Sequence, residues 1–124
     1  MSELTVLVVD DQREWLDLAT SLLSGCPSLR IVGTARTGEE ALALVPTLRP
    51  SVVVCDVGLP GMNGFQVARR LRGAGSRTVV VSCETHPEYP ALARNAGAEG
   101  YLPKQALSAR ALLDLLKAHS PSCS

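Results

Sequence analysis

Leu4-Thr5-Val6-Leu7-Val8-Val9-Asp10-Asp11 is an unbroken apolar run that ends in two carboxylates. Apolarity that is continuous rather than alternating marks a strand buried on both faces, as in parallel sheets covered by helices. Four later stretches read the same way. Leu29 to Ala35 is a second, shorter strand, and Ser51-Val52-Val53-Val54-Cys55-Asp56 a third. Thr78-Val79-Val80-Val81-Ser82 is a fourth, and Gly100-Tyr101-Leu102 a short fifth. Pro103 lacks the N–H that a ladder needs, which suits an edge position for that last strand.

Helical patterns fill the intervals. From about Gln12 to Ser24, Trp15, Leu18, Ala19, Leu22 and Leu23 recur at helical spacing and form the expected buried face. Thr37-Gly38-Glu39-Glu40 matches a capping box in which Thr37 caps the next helix and Glu40 reaches back. Pro46, late in that helix, predicts a kink or an early end. Val57 to Gly64 is a Gly-rich loop, and a third helix runs from about Phe65 to Arg72. Pro87 and Pro90 each bias the preceding residue away from helix, so the fourth helix starts near Pro90 and ends at Gly97. Ser108 caps a last helix to about His119. Strands alternating with helices predict an α/β fold with a parallel sheet.

In such sheets ligands bind beyond the carboxyl ends of the strands. Asp10 and Asp11 end the first strand, Asp56 the third and Ser82 the fourth, while Lys104 follows the fifth. Three carboxylates, a hydroxyl and an ammonium would therefore converge on one sheet edge. That set suits a hard divalent cation and a phosphoryl group: the carboxylates repel one another until a cation such as Mg²⁺ or Mn²⁺ neutralises them. Taken singly, each residue has a plainer explanation, such as a turn-forming Asp or a solvated lysine. Their joint occurrence at four strand ends is what points to a site.

Composition narrows the remaining classes. With 124 residues, 46% of them hydrophobic, the chain matches one domain, residues 1–119, followed by a tail or linker stub at 120–124. Aromatics make up 3%, so the core must be aliphatic. Twelve basic and twelve acidic residues cancel, which argues against direct nucleic-acid binding. Cys26, Cys55, Cys83 and Cys123 form no C-x-x-C pair and no zinc-ligand spacing. Asp10 and Asp11 interrupt the N-terminal apolar stretch, and no run is long enough to span a membrane, so a cytoplasmic location is expected.

The acidic pair Asp10-Asp11, the loop Asp56-x-x-x-Pro60-x-x-x-Gly64, Ser82 after a Val-rich run, and Gly100-Tyr101-Leu102-x-Lys104 occur in order along essentially the whole chain. In these motifs the chain resembles the receiver domain of bacterial two-component response regulators. The resemblance implies a flavodoxin-like, doubly wound, five-stranded parallel sheet of order 2-1-3-4-5 with five helices. It implies that Asp56 accepts a phosphoryl group from a sensor histidine kinase in a Mg²⁺-dependent reaction. Asp10, Asp11, Asp56 and the backbone carbonyl of Gly58 would hold the metal, Asp10 through a water. Ser82, Lys104 and the backbone amide of Cys83 would bind the phosphoryl oxygens. Ser82 and Tyr101 would move together as the switch that controls a partner or output domain. The chain would not be an enzyme in the turnover sense, although it would catalyse its own phosphorylation and dephosphorylation. The motif set is also similar to that of receivers followed by helix-turn-helix DNA-binding domains, which suggests transcription regulation.

Some positions depart from the family pattern. Gln105 follows Lys104 where many receivers carry proline, and Gly58 stands where a larger side chain is common. Leu and Ala cover roughly two-thirds of the last helix, from Leu107 to Ala118, which suggests a contact with another protomer or domain, a homodimer through the fourth helix, fifth strand and fifth helix being one such arrangement. Two alternative functions compete. One is a phosphorylation-independent pseudo-receiver binding module. The other is a phosphatase of the haloacid-dehalogenase type, which needs a second Asp two residues after its nucleophile, where this chain has Gly58.

Overall fold

The computed structural model describes residues 3–116. Five strands, β1 (Leu4–Val9), β2 (Leu29–Ala35), β3 (Val52–Asp56), β4 (Arg77–Ser82) and β5 (Gly100–Pro103), form one sheet. All neighbours pair in parallel, in the order β2-β1-β3-β4-β5. Five helices connect and flank them: α1 (Arg13–Ser24), α2 (Gly38–Leu48), α3 (Gly64–Arg70), α4 (Tyr89–Asn95) and α5 (Ala109–Leu115). This is the expected fold and strand order. The expected end of α5 near His119 and the tail at 120–124 lie outside the described residues.

The continuous apolar strands are explained by the two layers they serve. Val6, Val8, Val52, Val54, Val79 and Val81 face one way, into a core shared with Leu16, Ala19 and Leu23 of α1 and Leu112, Leu113 and Leu116 at α5. Leu7, Val9, Val53 and Cys55 face the other way, against Ala41 and Val45 of α2 and Val67 of α3. Val80 packs on that second face with Ala68, Ala93 and Ala96. Buried aliphatic side chains of this kind are the main stabilising term, roughly 1.5–3 kcal/mol for each large one. Pro103 ends β5, an edge strand, where its missing N–H breaks no ladder.

Several local expectations need correcting. The buried face of α1 is Leu16, Ala19 and Leu23, while Leu18 and Leu22 are 51% and 39% exposed. The helix is thus rotated by about one residue position, so that Leu16 fills the core. Thr37 Oγ1 does accept from the Glu40 N–H at 3.0 Å, but Glu40 Oε1 accepts from Arg36 N–H at 2.8 Å rather than from the cap itself. The reciprocal capping box lies instead at α3. Asn63 Oδ1 accepts from Gln66 N–H at 2.9 Å, and Gln66 Oε1 accepts from Asn63 N–H at 2.8 Å. α2 runs through Pro46 to Leu48, and Arg49, at φ 47°, closes it by donating to Val45 O at 2.8 Å. Of the broad apolar arc at α5, Leu107, Leu112, Leu113 and Leu116 are buried, while Ala109, Ala111 and Leu115 are half-buried, Leu115 lying against Gly100.

Candidate functional site

The C-terminal ends of β1, β3, β4 and β5 lie side by side, which carries Asp10, Asp11, Asp56, Ser82 and Lys104 to one edge of the sheet. Asp10 is fully buried and Asp56 nearly so. Carboxylate oxygens of Asp10, Asp11 and Asp56 all lie within 4.8 Å of one another. The Lys104 ammonium stands among them, 2.5 Å from Asp10 Oδ2 and 3.4 Å from Asp56 Oδ1. It is only 12% exposed, because β5 ends at Pro103 and the turn at Lys104–Ala106 folds the lysine inward.

Each acid is set by its own local contacts. Asp10 Oδ1 accepts from the Gln12 N–H at 2.9 Å, which shapes the turn into α1. Its Oδ2 is buried and is paired with the Lys104 ammonium. The Asp11 carbonyl accepts from Arg36 Nη2 at 2.8 Å and Nε at 3.3 Å. Arg36 was not singled out from the sequence, since only the pairing of β1 with β2 brings it across. Burial pushes the Asp56 carboxyl up from the ordinary carboxylate range, and the nearby Asp10 charge adds to this, while Lys104 opposes it. Burial alone would lower Lys104, but its bond to Asp10 and the charges of Asp56 and Asp10 outweigh that and hold it above the usual lysine value.

Three clustered carboxylates with a single ammonium among them fit a hard divalent cation, which takes oxygen ligands and supplies the missing charge. Asp10, Asp11 and Asp56 are the side chains that would hold it. Gly58 lies two residues beyond Asp56, and a Cβ built there would stand 3.5 Å from Asp56 Oδ2. Gly64 closes the loop: a Cβ there would come within 2.5 Å of Asp56 O, a distance that only glycine avoids.

Ser82 is buried beside the acids, and its Oγ accepts from Glu84 N–H at 3.0 Å, which leaves the hydroxyl proton free to donate elsewhere. Cys83 follows it at the surface. Tyr101 is half-buried: its hydroxyl donates to Glu84 O at 3.0 Å, and its ring meets Tyr89 edge-on at 5.5 Å. Tyr89 in turn meets Phe65 at 5.4 Å. The structure therefore brings together Asp10, Asp11, Asp56, Ser82 and Lys104, with Gly58 and Cys83 at the rim and Tyr101 bonded to Glu84 O beside them.

Comparison with known proteins agrees with this fold. The model of the response regulator receiver domain family matches residues 6–117. The chain belongs to that family. It is 35% identical over 102 residues to the nitrate/nitrite response regulator NarL of Escherichia coli K12, covering 81% of this chain and 47% of that protein. It is 38% identical over 110 residues to a protein-glutamate methylesterase/protein-glutamine glutaminase of Nocardioides, covering 86% of this chain and 30% of that protein. The receiver thus spans less than half of either relative. Among solved structures, the signal receiver domain of a NarL response regulator from Mycobacterium tuberculosis superposes with a TM-score of 0.86 at 31% identity, covering 96% of this chain and all of that one. No helix among the described residues of the receiver is long and apolar enough to cross a membrane.

Proposed function

We propose that this receiver takes a phosphoryl group onto Asp56 from the phosphohistidine of a sensor histidine kinase and so switches a partner or output domain. The observation that carries the reading is the Lys104 ammonium set among three clustered carboxylates, one of which, Asp56, ends the central strand β3. An Asp56 oxygen would attack phosphorus in line with the histidine nitrogen. The new P–O bond forms as the P–N bond breaks, and the leaving imidazole keeps the electron pair and takes up a proton. Mg²⁺ or Mn²⁺ held by Asp10, Asp11, Asp56 and the Gly58 carbonyl would neutralise the charge of the acids and the incoming phosphate.

Lys104 would exchange its carboxylate partners for a phosphoryl oxygen. Ser82 would rotate to donate its free proton to another, giving up the bond it accepts from Glu84. That loosens the loop to which Tyr101 is bonded and lets the ring turn inward, which supplies a switch between two states of similar energy. Water reaching the acyl phosphate past Gly58 would return the domain to its resting state. On this reading the chain is a phosphoacceptor and not a turnover enzyme. The haloacid-dehalogenase alternative lacks its second carboxylate at Gly58, and the clustered acids argue against a phosphate-independent module.

The relatives' greater length supports an attached output domain, and a further relative, the transcriptional regulatory protein DesR of Bacillus subtilis, 30% identical over 105 residues, supports a transcriptional one. A homodimer through α4, β5 and α5 would draw on Leu92, which is 37% exposed, and on half-buried Leu115, because Leu112 and Leu113 of α5 are taken up by the core. A cytoplasmic location follows from the proposed kinase partner. Incubation with acetyl phosphate tests the reading: Mg²⁺-dependent incorporation of phosphate that Asp56→Asn abolishes is expected, and a parent protein that takes up none would refute it.

A further inference from the structure

Trp15, on the first turn of α1, is the chain's only tryptophan. Its ring lies under the Lys104 ammonium, 4.9 Å from centroid to Nζ. Its indole N–H is buried and has no hydrogen-bond partner among the described residues. A buried donor left unpaired costs stability, so an aliphatic residue would fill this corner more favourably. What tryptophan uniquely offers is the strongest cation-binding π face of any side chain. Lys104 is thus held from two sides, by Asp10 and Asp56 on one and by the Trp15 ring on the other.

We propose that Trp15 is a positioning residue for Lys104, keeping the ammonium beside the acidic cluster once Asp10 and Asp56 turn to a divalent cation. The role presupposes that Asp56 accepts phosphate there. When the carboxylates give their charge to the cation, Lys104 loses its anionic partners and is repelled. Without a second partner its flexible stem would swing to solvent, where Gln12 and Gln105 line an open groove. A ring face holds the ammonium without competing as an anion, so the lysine stays free to pair with the incoming phosphoryl oxygen.

The test compares Trp15→Phe, which keeps a π face, with Trp15→Leu, which keeps bulk alone, after thermal melts show both folded. The first readout is the NMR shift of the Lys104 ε-methylene protons, with and without Mg²⁺. Ring-current displacement is expected in the parent and in Trp15→Phe, and its loss in Trp15→Leu. The second is phosphorylation by acetyl phosphate at saturating Mg²⁺, expected to fall about fivefold in Trp15→Leu and to stay within about twofold in Trp15→Phe. In a Lys104→Ala background, Trp15→Leu should change nothing further. Equal rates in all three proteins, an equal loss in the Lys104→Ala background, or an undisplaced Lys104 signal in the parent would each overturn the proposal. A parent that shows the displacement but takes no phosphate would refute the phosphoacceptor reading rather than the contact.

Discussion

Replacing Asp56 by Asn should stabilise the metal-free protein at neutral pH, although it removes the residue on which function is proposed to rest. Asp56 has carboxylates of Asp10 and Asp11 within 4.8 Å and the Lys104 ammonium at 3.4 Å. At an effective dielectric of about 20, each repulsion costs about 3 kcal/mol and the attraction returns about 5 kcal/mol. Asp11 is half exposed, so its share is reduced by solvent, and Lys104 divides its attraction with Asp10. A net gain of about 2 kcal/mol remains for the neutral amide, or roughly 5–10 °C in Tm for a domain of this size.

The pH dependence has a definite sign. The folded-state carboxyl of Asp56 lies above its unfolded value, chiefly through burial, so the folded protein binds the proton more tightly. The parent's penalty is absent below the unfolded carboxyl pKa, about 4, and grows as pH rises through the folded one. The advantage of Asp56→Asn should therefore appear at neutral pH in EDTA and vanish in acid. Saturating Mg²⁺ should also reverse it, because the parent then gains a ligand that the amide holds poorly. Thermal melts by circular dichroism across pH, with EDTA or Mg²⁺, measure all of this. A destabilised Asp56→Asn in EDTA at neutral pH, or a gain that persists unchanged in acid, would refute the electrostatic reasoning.

Three other substitutions probe separate parts of the site. Lys104→Met removes a cation that competes for Asp10 and Asp56, so Mg²⁺ affinity by calorimetry should rise several-fold while acetyl-phosphate labelling slows by about 10²-fold; a fall in both would mean that the lysine only holds the fold. Gly64→Ala forces a Cβ to within 2.5 Å of Asp56 O and should cost about 2–4 kcal/mol by denaturant unfolding, against a near-neutral result if the loop can move aside. Tyr101→Phe deletes the partly exposed bond to Glu84 O, lowering stability by about 0.5–1 kcal/mol. It should also tighten binding of beryllofluoride, whereas unchanged affinity would mean that this bond does not hold the resting state.

The position of the site was legible because it follows from topology. Asp10, Asp56, Ser82 and Lys104 each sit at or just beyond the end of an apolar run, and a parallel sheet aligns those ends whatever the helices do. Helix rotation was less legible. In α1, Ala19 and Leu23 of the expected face are buried and Trp15 packs beside them, but Leu16 takes the place of Leu18 and Leu22, a choice made by packing with α5, which no local pattern encodes. The reciprocal cap at α3 did carry a signal, Asn63 followed three residues later by Gln66, but the glycines around it read as loop. Arg36 on Asp11 and Trp15 beneath Lys104 join residues far apart in the chain, so their partners emerge only once the strands are aligned.

The acceptor itself can be identified chemically. Borohydride reduction of the acetyl-phosphate-treated protein converts an aspartyl phosphate to homoserine, which peptide mass spectrometry locates. The change is predicted at position 56, only when Mg²⁺ is present; its appearance at another acid, or its absence in a folded and metal-bound protein, would contradict the account.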